Sequence, residues 1–463
     1  MRCLVAFVFL LVFSFGCSKA QKQASVWYQG SSTGIDFNKG YPTNYTRLNP
    51  AVSGYFAAAI SDDDGNLVCY SSGDSIWTKT KALADSRVSL SETIFQPSFA
   101  HIIPAPGRLH EYYLFFEFGR FSNIRYNMFE VNPDGSGQML QKLQTIYSPT
   151  GGGHSVVFHA NGKEVWLMAH GLENDEFMAF LITDTGVKPP IISKIGRRLG
   201  LQSKVFLRDI KFSPNGKKLA IIVADESESG NTKAYVDLFE FHNETGLLSN
   251  AKTLMFENFQ PISAPLGQLL EFSPNSNVLY TPANDPIESK QYLLQFDLKV
   301  PNGRLAIAER IQNSGIKSLQ IANNGKIYFL PYQSNTLGVI NNPNSFGIKA
   351  GVEYISNSTN FSSFPRFNQS YFFLPKGNFD MPNVFTPNGD LYNPSFAPIK
   401  ANYVETGFLK IVNRWGQVVF ATDDVFAGWD GGDSPQGVYY WSIEFEGANG
   451  EKGTQKGWVH LVR

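Results

Sequence analysis

The sequence predicts an all-β protein: a β-propeller of about seven blades, with six or eight as the alternatives, followed by a small immunoglobulin-like β-sandwich. Three observations carry this. A turn flanked by β runs recurs through residues 25–375 at a spacing of roughly 40–60 residues, the period of a four-stranded blade. Aromatic residues make up 14% of the 463-residue chain and charged residues only 17%, a mixture that favours many short strands joined by tight turns. From residue 383 the repeat stops and a closely spaced set of alternating strands takes over.

The repeat has two halves. The first is a tight turn followed by a strand rich in Val, Ile, Leu, Tyr or Trp. It reads FSPNGKKLAIIVA over 212–224, FSPNSNVLYT over 272–281, FHANGKEVWLMA over 158–169 and IANNGKIYFL over 321–330. Looser copies are ISDDDGNLVCYSS (60–72) and IIPAPGRLHEYYLFF (102–116). Gly or Asn stands where the turn needs a positive φ. The second half is another hairpin, as in YNMFEVNPDGSGQMLQ (126–141), MAFLITDTGVKPPIIS (178–193), VDLFEFHNETGLLSNAKTL (236–254) and LLQFDLKVPNGRLAIAERI (293–311). One four-stranded unit cannot bury both faces, whereas a ring of units stacks them and closes a core. Six units are direct. The β-like ends, 26–37 and 351–373, are expected to pair as a shared last blade. A linker is expected at 376–382, where Lys, Gly, Asn and Pro interrupt the pattern.

Beyond the linker, LKIV, NRWG and QVVF form a hairpin across 409–420. GVYYWSIEF (437–445) alternates as a core strand, residues 448–450 turn, and GWVHLVR ends the chain. Five to seven short strands in this length suggest the small sandwich. Of Trp415, Trp429, Trp441 and Trp458, at least three are expected in its core.

The first residues are expected to be a signal peptide, 1–20: Arg2 supplies the positive charge, residues 4–15 the apolar stretch, and Ser18-Lys19-Ala20 the small residues before cleavage. That stretch is too short to span a bilayer. Lipoprotein processing at Cys17 is the competing expectation, weakened by Ser14 and the bulky Phe15. With Cys3 and Cys17 in the leader, Cys69 stands alone in the body, so no internal disulfide can form, and it reads as a buried strand residue. A net charge of −1 gives no basis for a nucleic-acid or anionic-membrane partner.

Catalytic and metal motifs are scarce. His101, His110, His154, His159, His170, His242 and His460 show no metal-ligand spacing. GGGH at 151–154 lacks the Lys-Ser/Thr of a phosphate loop and is expected to be an open axial loop or an inter-blade connection. No Gly-x-Ser-x-Gly elbow occurs. Asp62-Asp63-Asp64-Gly65 lacks the glutamate of a calcium loop and reads as a solvated turn. Glu117, Glu173, Asp175, Asp209 and Asp225 are carboxylates that a glycosidase or lyase would need in pairs, but sequence brings no two together. No catalytic, cofactor or metal residue is therefore assigned. An exported binding protein with a protein or glycan partner is the leading expectation. A polysaccharide-active enzyme and a structural part of a surface or gliding apparatus are the alternatives.

Two resemblances add to this. The FSPNG turns resemble those of WD-type propellers, without the regular Trp-Asp dipeptide. NVFTPNGD, NRWGQVVF, GWDGG and PQGVYYW, over 383–463, resemble the gliding-motility-associated, type B C-terminal sorting domain of Bacteroidetes type IX secretion. WYQGSSTGIDFNKG and SFPRFNQSYFF look like the ends of the propeller that often precedes that domain. The resemblance implies export and engagement by the outer-membrane translocon, leaving the protein secreted or on the cell surface. Lys452, Lys456 and Arg463 are candidates for recognition. Where the family continues Gly-x-Asn-Asp, this chain has Leu391-Tyr392-Asn393-Pro394, so Asn388 and Asp390 are expected to form an Asx turn rather than a cation loop.

Overall fold

The computed structural model describes residues 22–28, 33–46, 58–72, 75–79, 97–118, 123–228, 232–254, 256, 259–261, 268–288, 290–300, 303–311, 315–332, 335–356, 361, 363–373, 377–390, 392–447 and 452–463. The expected signal peptide, Cys17, Leu391 and the 448–450 turn lie outside them. Among the described residues, no helix is long and apolar enough to cross a membrane.

Seven antiparallel sheets follow one another along the chain. The first contains Val26–Trp27, Thr33–Asp36 and Thr43–Thr46; the second Ala59–Ser61, Leu67–Ser72 and Ser75–Thr78. The third is Pro97–Pro104, Glu111–Phe118, Ile124–Val131 and Gly137–Tyr147. The fourth runs from Thr150–Phe158 through Val165–Gly171 and Asn174–Thr183 to Gly186–Val187 and Ile191–Leu199, the last two both pairing with Asn174–Thr183. The fifth is Val205–Phe212, Lys218–Asp225, Lys233–His242 and Leu247–Leu254. In the sixth, Gln260–Pro261 and Glu271–Phe272 both pair with Val278–Asp285, followed by Lys290–Asp297 and Arg304–Arg310. The seventh is Ile316–Ile321, Ile327–Pro331, Thr336–Ile340 and Val352–Ser356. This is a seven-bladed propeller, with the first strands of successive sheets as neighbours around the axis.

Burial falls from axis to rim. Thr150–Phe158 is buried at all but its last residue, whereas the outermost Gly137–Tyr147 has no buried residue. Between blades the cores are apolar. Leu167, Phe180 and Val156 of the fourth sheet pack against Phe115 and Ile103 of the third, and Phe177 and Met168 against Phe239 and Ile221 of the fifth. Cys69 is buried between the second and third sheets with Ile60 and Ile102, as expected of a strand residue.

The repeated turn has one geometry. Its first residue donates its amide across the hairpin and its carbonyl accepts from the fourth: Ser213, Ser273, Asp62, His159 and Ala322 all do so. That fourth residue is left-handed, with φ of 91° at Gly65, 69° at Gly162, 64° at Gly216, 75° at Gly325 and 61° at Ser276. Ser276 accepts this conformation and uses its hydroxyl oxygen to take the Asn215 amide of the neighbouring blade at 3.1 Å.

Closure differs from expectation. Residues 26–37 and 351–373 do not share a blade: 26–46 form the first sheet, and Val352–Ser356 is the outer strand of a complete seventh. The two sheets meet through side chains. Trp27 and Phe37 pack on Tyr328 with ring centroids 5.9 and 5.0 Å apart, and Asn323 donates to Ser25 Oγ at 2.8 Å. The remaining segment, 363–373, has left the sheet for the axis.

The tail has a five-stranded sheet, ordered Val384–Phe385, Lys452–Leu461, Gly437–Gly447, Val404–Val412 and Val418–Thr422, and a two-stranded sheet of Asn378–Asp380 with Lys400–Asn402. The stretch expected as linker therefore contains a strand, whose Phe379 joins the tail core with Phe385, Trp429, Trp441 and Phe445. Alternation is strict in the last hairpin. Tyr439, Trp441, Ile443 and Phe445 are buried, while Lys452, Thr454, Lys456, Trp458 and His460 are exposed. Gly457 and Gly453 stand opposite Trp441 and Phe445. A Cβ there would lie 2.5 Å from each ring, so glycine is what lets the aromatics lie over the strand. Only two of the four tryptophans are core residues: Trp429 and Trp441 are 3% and 6% exposed, but Trp415 and Trp458 are 72% and 52% exposed. Trp415 sits on the 413–416 turn and Trp458 on the outward side of the final strand, so turn position and strand parity, not hydrophobicity, decide their fate.

Candidate functional site

The propeller axis gathers buried charged residues, Lys211, Asp209 and Glu271 from first strands and Glu117 from the second strand of the third sheet. Lys211, in Val205–Phe212, donates from Nζ to Glu271 Oε2 at 2.7 Å, and Glu271 Oε2 also accepts the Ile321 amide at 2.9 Å. Asp209 accepts the Arg366 guanidinium at 2.9 Å and the Leu269 and Leu270 amides at 2.8 and 2.9 Å. Glu117, in Glu111–Phe118, takes His154 Nδ1 at 3.0 Å, the Gly153 amide at 2.9 Å and the Thr150 hydroxyl at 3.1 Å. A carboxylate only accepts, so His154 Nδ1 carries the hydrogen. His101 lies beside His154, ring centroids 4.9 Å apart. All these side chains are buried.

Burial dominates the electrostatics. It pushes the Glu271 carboxyl up, while Lys211 and the two backbone amides pull it down. His101 is held well below its ordinary value, first by burial and then by the charges of His154, Arg366 and Lys211. Each axial carboxylate has at least three donors, which is how a buried charge is held without solvent.

The axis is occupied by the chain itself. Residues 363–373 run through it, contacting strands of five sheets and the residues that lead into the second and sixth. Phe364 and Phe367 pack on Trp27 of the first sheet at 4.8 and 6.3 Å. Arg366 bridges in parallel to Ala58, at the start of the second, and lies 4.2 Å over the Phe99 ring of the third. Ser370 Oγ accepts the Phe158 amide of the fourth at 2.9 Å, and Asp209 belongs to the fifth. The Phe364 carbonyl accepts Gln268 Nε2 at 2.5 Å, just ahead of the sixth sheet's Glu271–Phe272, and its amide donates to Ser318 Oγ of the seventh at 3.2 Å.

The other candidates are scattered. GGGH is not an open loop: Gly151, Gly152, Gly153 and His154 are buried in an inner strand, with a bulge between Thr150 and His154. Gly153 has φ 100°, and a Cβ on it would meet Phe99 at 3.0 Å. Glu173 takes the Leu201 and Gln202 amides, Asp225 the Ser227 amide, and Asp175 is half-buried. His170 Nδ1 bonds the Gly171 carbonyl at 2.6 Å, and burial lowers the ring's pKa to about 4. His242 pairs with Ser249 and His159 with the Glu244 carbonyl; His110 and His460 are exposed. Asp62 takes the Asp64 and Asn66 amides in an exposed turn. Among the described residues, no group of three or more His, Cys, Asp or Glu is placed to hold a metal. Asn388 and Asp390 form the expected Asx turn, with the Asp390 amide donating to Asn388 Oδ1 at 3.1 Å and the Tyr392 amide to Asp390 Oδ1 at 2.8 Å.

Sequence reasoning missed Lys211, Glu271 and Gln320, which occupy one repeat position, immediately before FSP, FSP and IAN. A polar residue at the same place in three copies of the repeat was the signal. Arg366 had none, because no pattern announces that 363–373 turns inward.

The outward face of the tail is a second distinct surface. Tyr440 and Trp458 are cross-strand partners, both about half exposed, beside exposed Val438. Lys456 and Lys452 continue that face, and Arg463 donates to the Gly432 carbonyl.

Residues 379–461 match the CHU_C type IX secretion signal domain. No curated protein matches the chain. Among solved structures, the Dos1 propeller is 11% identical, covering 74% of this chain and 77% of its own, with a TM-score of 0.35. Virginiamycin B lyase from Staphylococcus aureus is 10% identical, covering 67% and 84%, TM-score 0.33. TolB from Acinetobacter baumannii is 13% identical, covering 73% and 80%, TM-score 0.32. The propeller assignment rests on the seven sheets themselves. Taken together, the chain is an all-β propeller protein carrying a C-terminal type IX secretion signal domain of the CHU_C family, and that signal implies export to the cell surface or the medium.

Proposed function

We propose that the protein is an exported, non-enzymatic binding protein, in which the propeller presents a recognition surface to a protein or glycan and the tail delivers it. The domain plan is a signal peptide at 1–20, a propeller over 21–375 and an immunoglobulin-like sorting domain running to 463, whose core takes in Phe379 from the stretch expected as a joint. The observation that carries the reading is the state of the axis. Its carboxylates, Glu117, Asp209 and Glu271, are saturated by internal donors, and 363–373 fill the space where a propeller enzyme would gather acid and base. Function then falls to the loops and rims, which vary while a stacked core stays fixed.

For the tail, the outward face bearing Tyr440, Trp458, Lys452 and Lys456 is the handle for the outer-membrane translocon. Exposed aromatics on a sheet face are what a docking partner buries. Processing after Ala20 is favoured over lipidation at Cys17, because Phe15 is bulky and Ser14 stands where lipidation expects an aliphatic residue.

A glycan array probed with the exported protein tests the binding role. Selective retention of one glycan class supports it. Turnover of a polysaccharide, abolished by Asp209→Asn or Glu117→Gln without loss of fold, would replace it with the enzyme reading.

A further inference from the structure

We propose that residues 363–373 are an axial key: a built-in peptide ligand of the propeller channel, whose seating closes the ring. Two independent observations meet here. Among the described residues, no hydrogen-bonded ladder joins the first and seventh sheets, which meet through the Trp27, Phe37 and Tyr328 rings and through Asn323 and Asn324, which donate to Ser25 Oγ and the Gly40 carbonyl. Among the described residues, 363–373 contacts strands of five sheets and, at Ala58 and Gln268, the residues leading into the other two, through the contacts given above. It lies beyond the last blade strand, Val352–Ser356, and so enters a channel whose walls precede it in the chain.

The segment has the chemistry of a bound peptide. Its anchors are Phe364, Phe367 and Phe372, all at or below 3% exposure, and Arg366 at 6%. Its backbone is read at Phe364, where both amide and carbonyl are bonded to different blades. Arg366 is the specificity element: a cation on Asp209 on one side and a planar group over Phe99 on the other, which only a guanidinium satisfies. Because Asp209 also holds the Leu269 and Leu270 amides, the pair ties the fifth sheet, the lead-in to the sixth and the key into one network. Covalent attachment keeps the effective concentration of such a ligand high. The key therefore stays seated although each contact is small, and leaving it unseated would strand Asp209 in the channel without its countercharge.

The test uses the full chain. Protease sites are placed within 357–360 and 374–376, and the folded protein is cut at both. The released segment is expected to co-migrate with the propeller on gel filtration, and to be lost when the cut chain also carries Arg366→Lys. If the cut segment separates while the propeller keeps its unfolding midpoint, the key is not what closes the ring. Hydrogen exchange on the uncut Arg366→Lys protein reads the same claim where cutting is incomplete. Inner strands of all seven sheets should exchange together, at least about tenfold faster. Acceleration confined to Val205–Phe212 would reduce Arg366 to a local partner of Asp209 and overturn the proposal.

Discussion

The propeller and the tail solve the same problem, a β core without disulfides, in opposite ways. The propeller places apolar clusters between its blades and charges at its centre, where Lys211 and Glu271 are buried at 2.7 Å. The tail places its aromatics inside and its charges outside, with Trp441 over Gly457 and Lys456 in solvent. The difference teaches where each can be broken. A ring leaves an axial channel that must be filled, and polar side chains fill it only if every one finds a partner. A small two-sheet core has no such channel and depends on shape.

The sharpest way to break the comparison is to remove one partner from each kind of core. Lys211→Met should cost about 3–5 kcal/mol by leaving Glu271 charged and unpaired, seen as a lower propeller midpoint in denaturant. Restoring neutrality with Lys211→Met and Glu271→Leu together should recover most of it; if the double variant is no better, the loss lies in packing, not charge. In the tail, Trp441→Ala should cost about 3–5 kcal/mol and leave the propeller transition unmoved, since the tail core draws only on residues from 379 onward.

Acidification separates the regions next. His101 and His170 are buried with pKa values below the ordinary range. An unfolded chain therefore binds their protons first, and propeller stability is full above about pH 6.5 and falls below it, by roughly 1.4 kcal/mol per pH unit for each such histidine. For His170 the loss levels off near pH 4. His460, the tail's histidine, is exposed, so calorimetry should show the propeller transition moving down through this window and the tail's lagging. His170→Gln should flatten the propeller slope; an unchanged slope would remove His170 from the account.

A smaller effect is expected at Gly153→Ala, about 1–3 kcal/mol, from a left-handed φ combined with the Phe99 contact. Smallest is Trp458→Ala, within about 0.5 kcal/mol on stability, because its ring faces solvent. A loss of export with that variant would mark the outward face as the translocon handle.

The legible part of this molecule is what repeats or alternates. FSPNG and its looser copies mark the first hairpin turn of six of the seven sheets, and in five of them the left-handed residue stands at the same place, a local demand. Strand parity placed Trp441 correctly. The rest depended on three-dimensional closure. The first sheet and the seventh each complete themselves, so the expected shared blade does not form, and 363–373 become the axial segment. Glu117 meets His154 only because adjacent blades face the same channel. Trp415 and Trp458 show that an aromatic residue in a motif is not thereby a core residue.

The central claim is that the tail is an address and the propeller its cargo. The most direct measurement compares the full chain with one lacking 383–463 in a host that has type IX secretion, by protease accessibility on intact cells. The account predicts that the full chain is cleaved from outside or found in the medium, while the shortened chain is protected, soluble and folded inside the outer membrane. Equal accessibility of the two would contradict it.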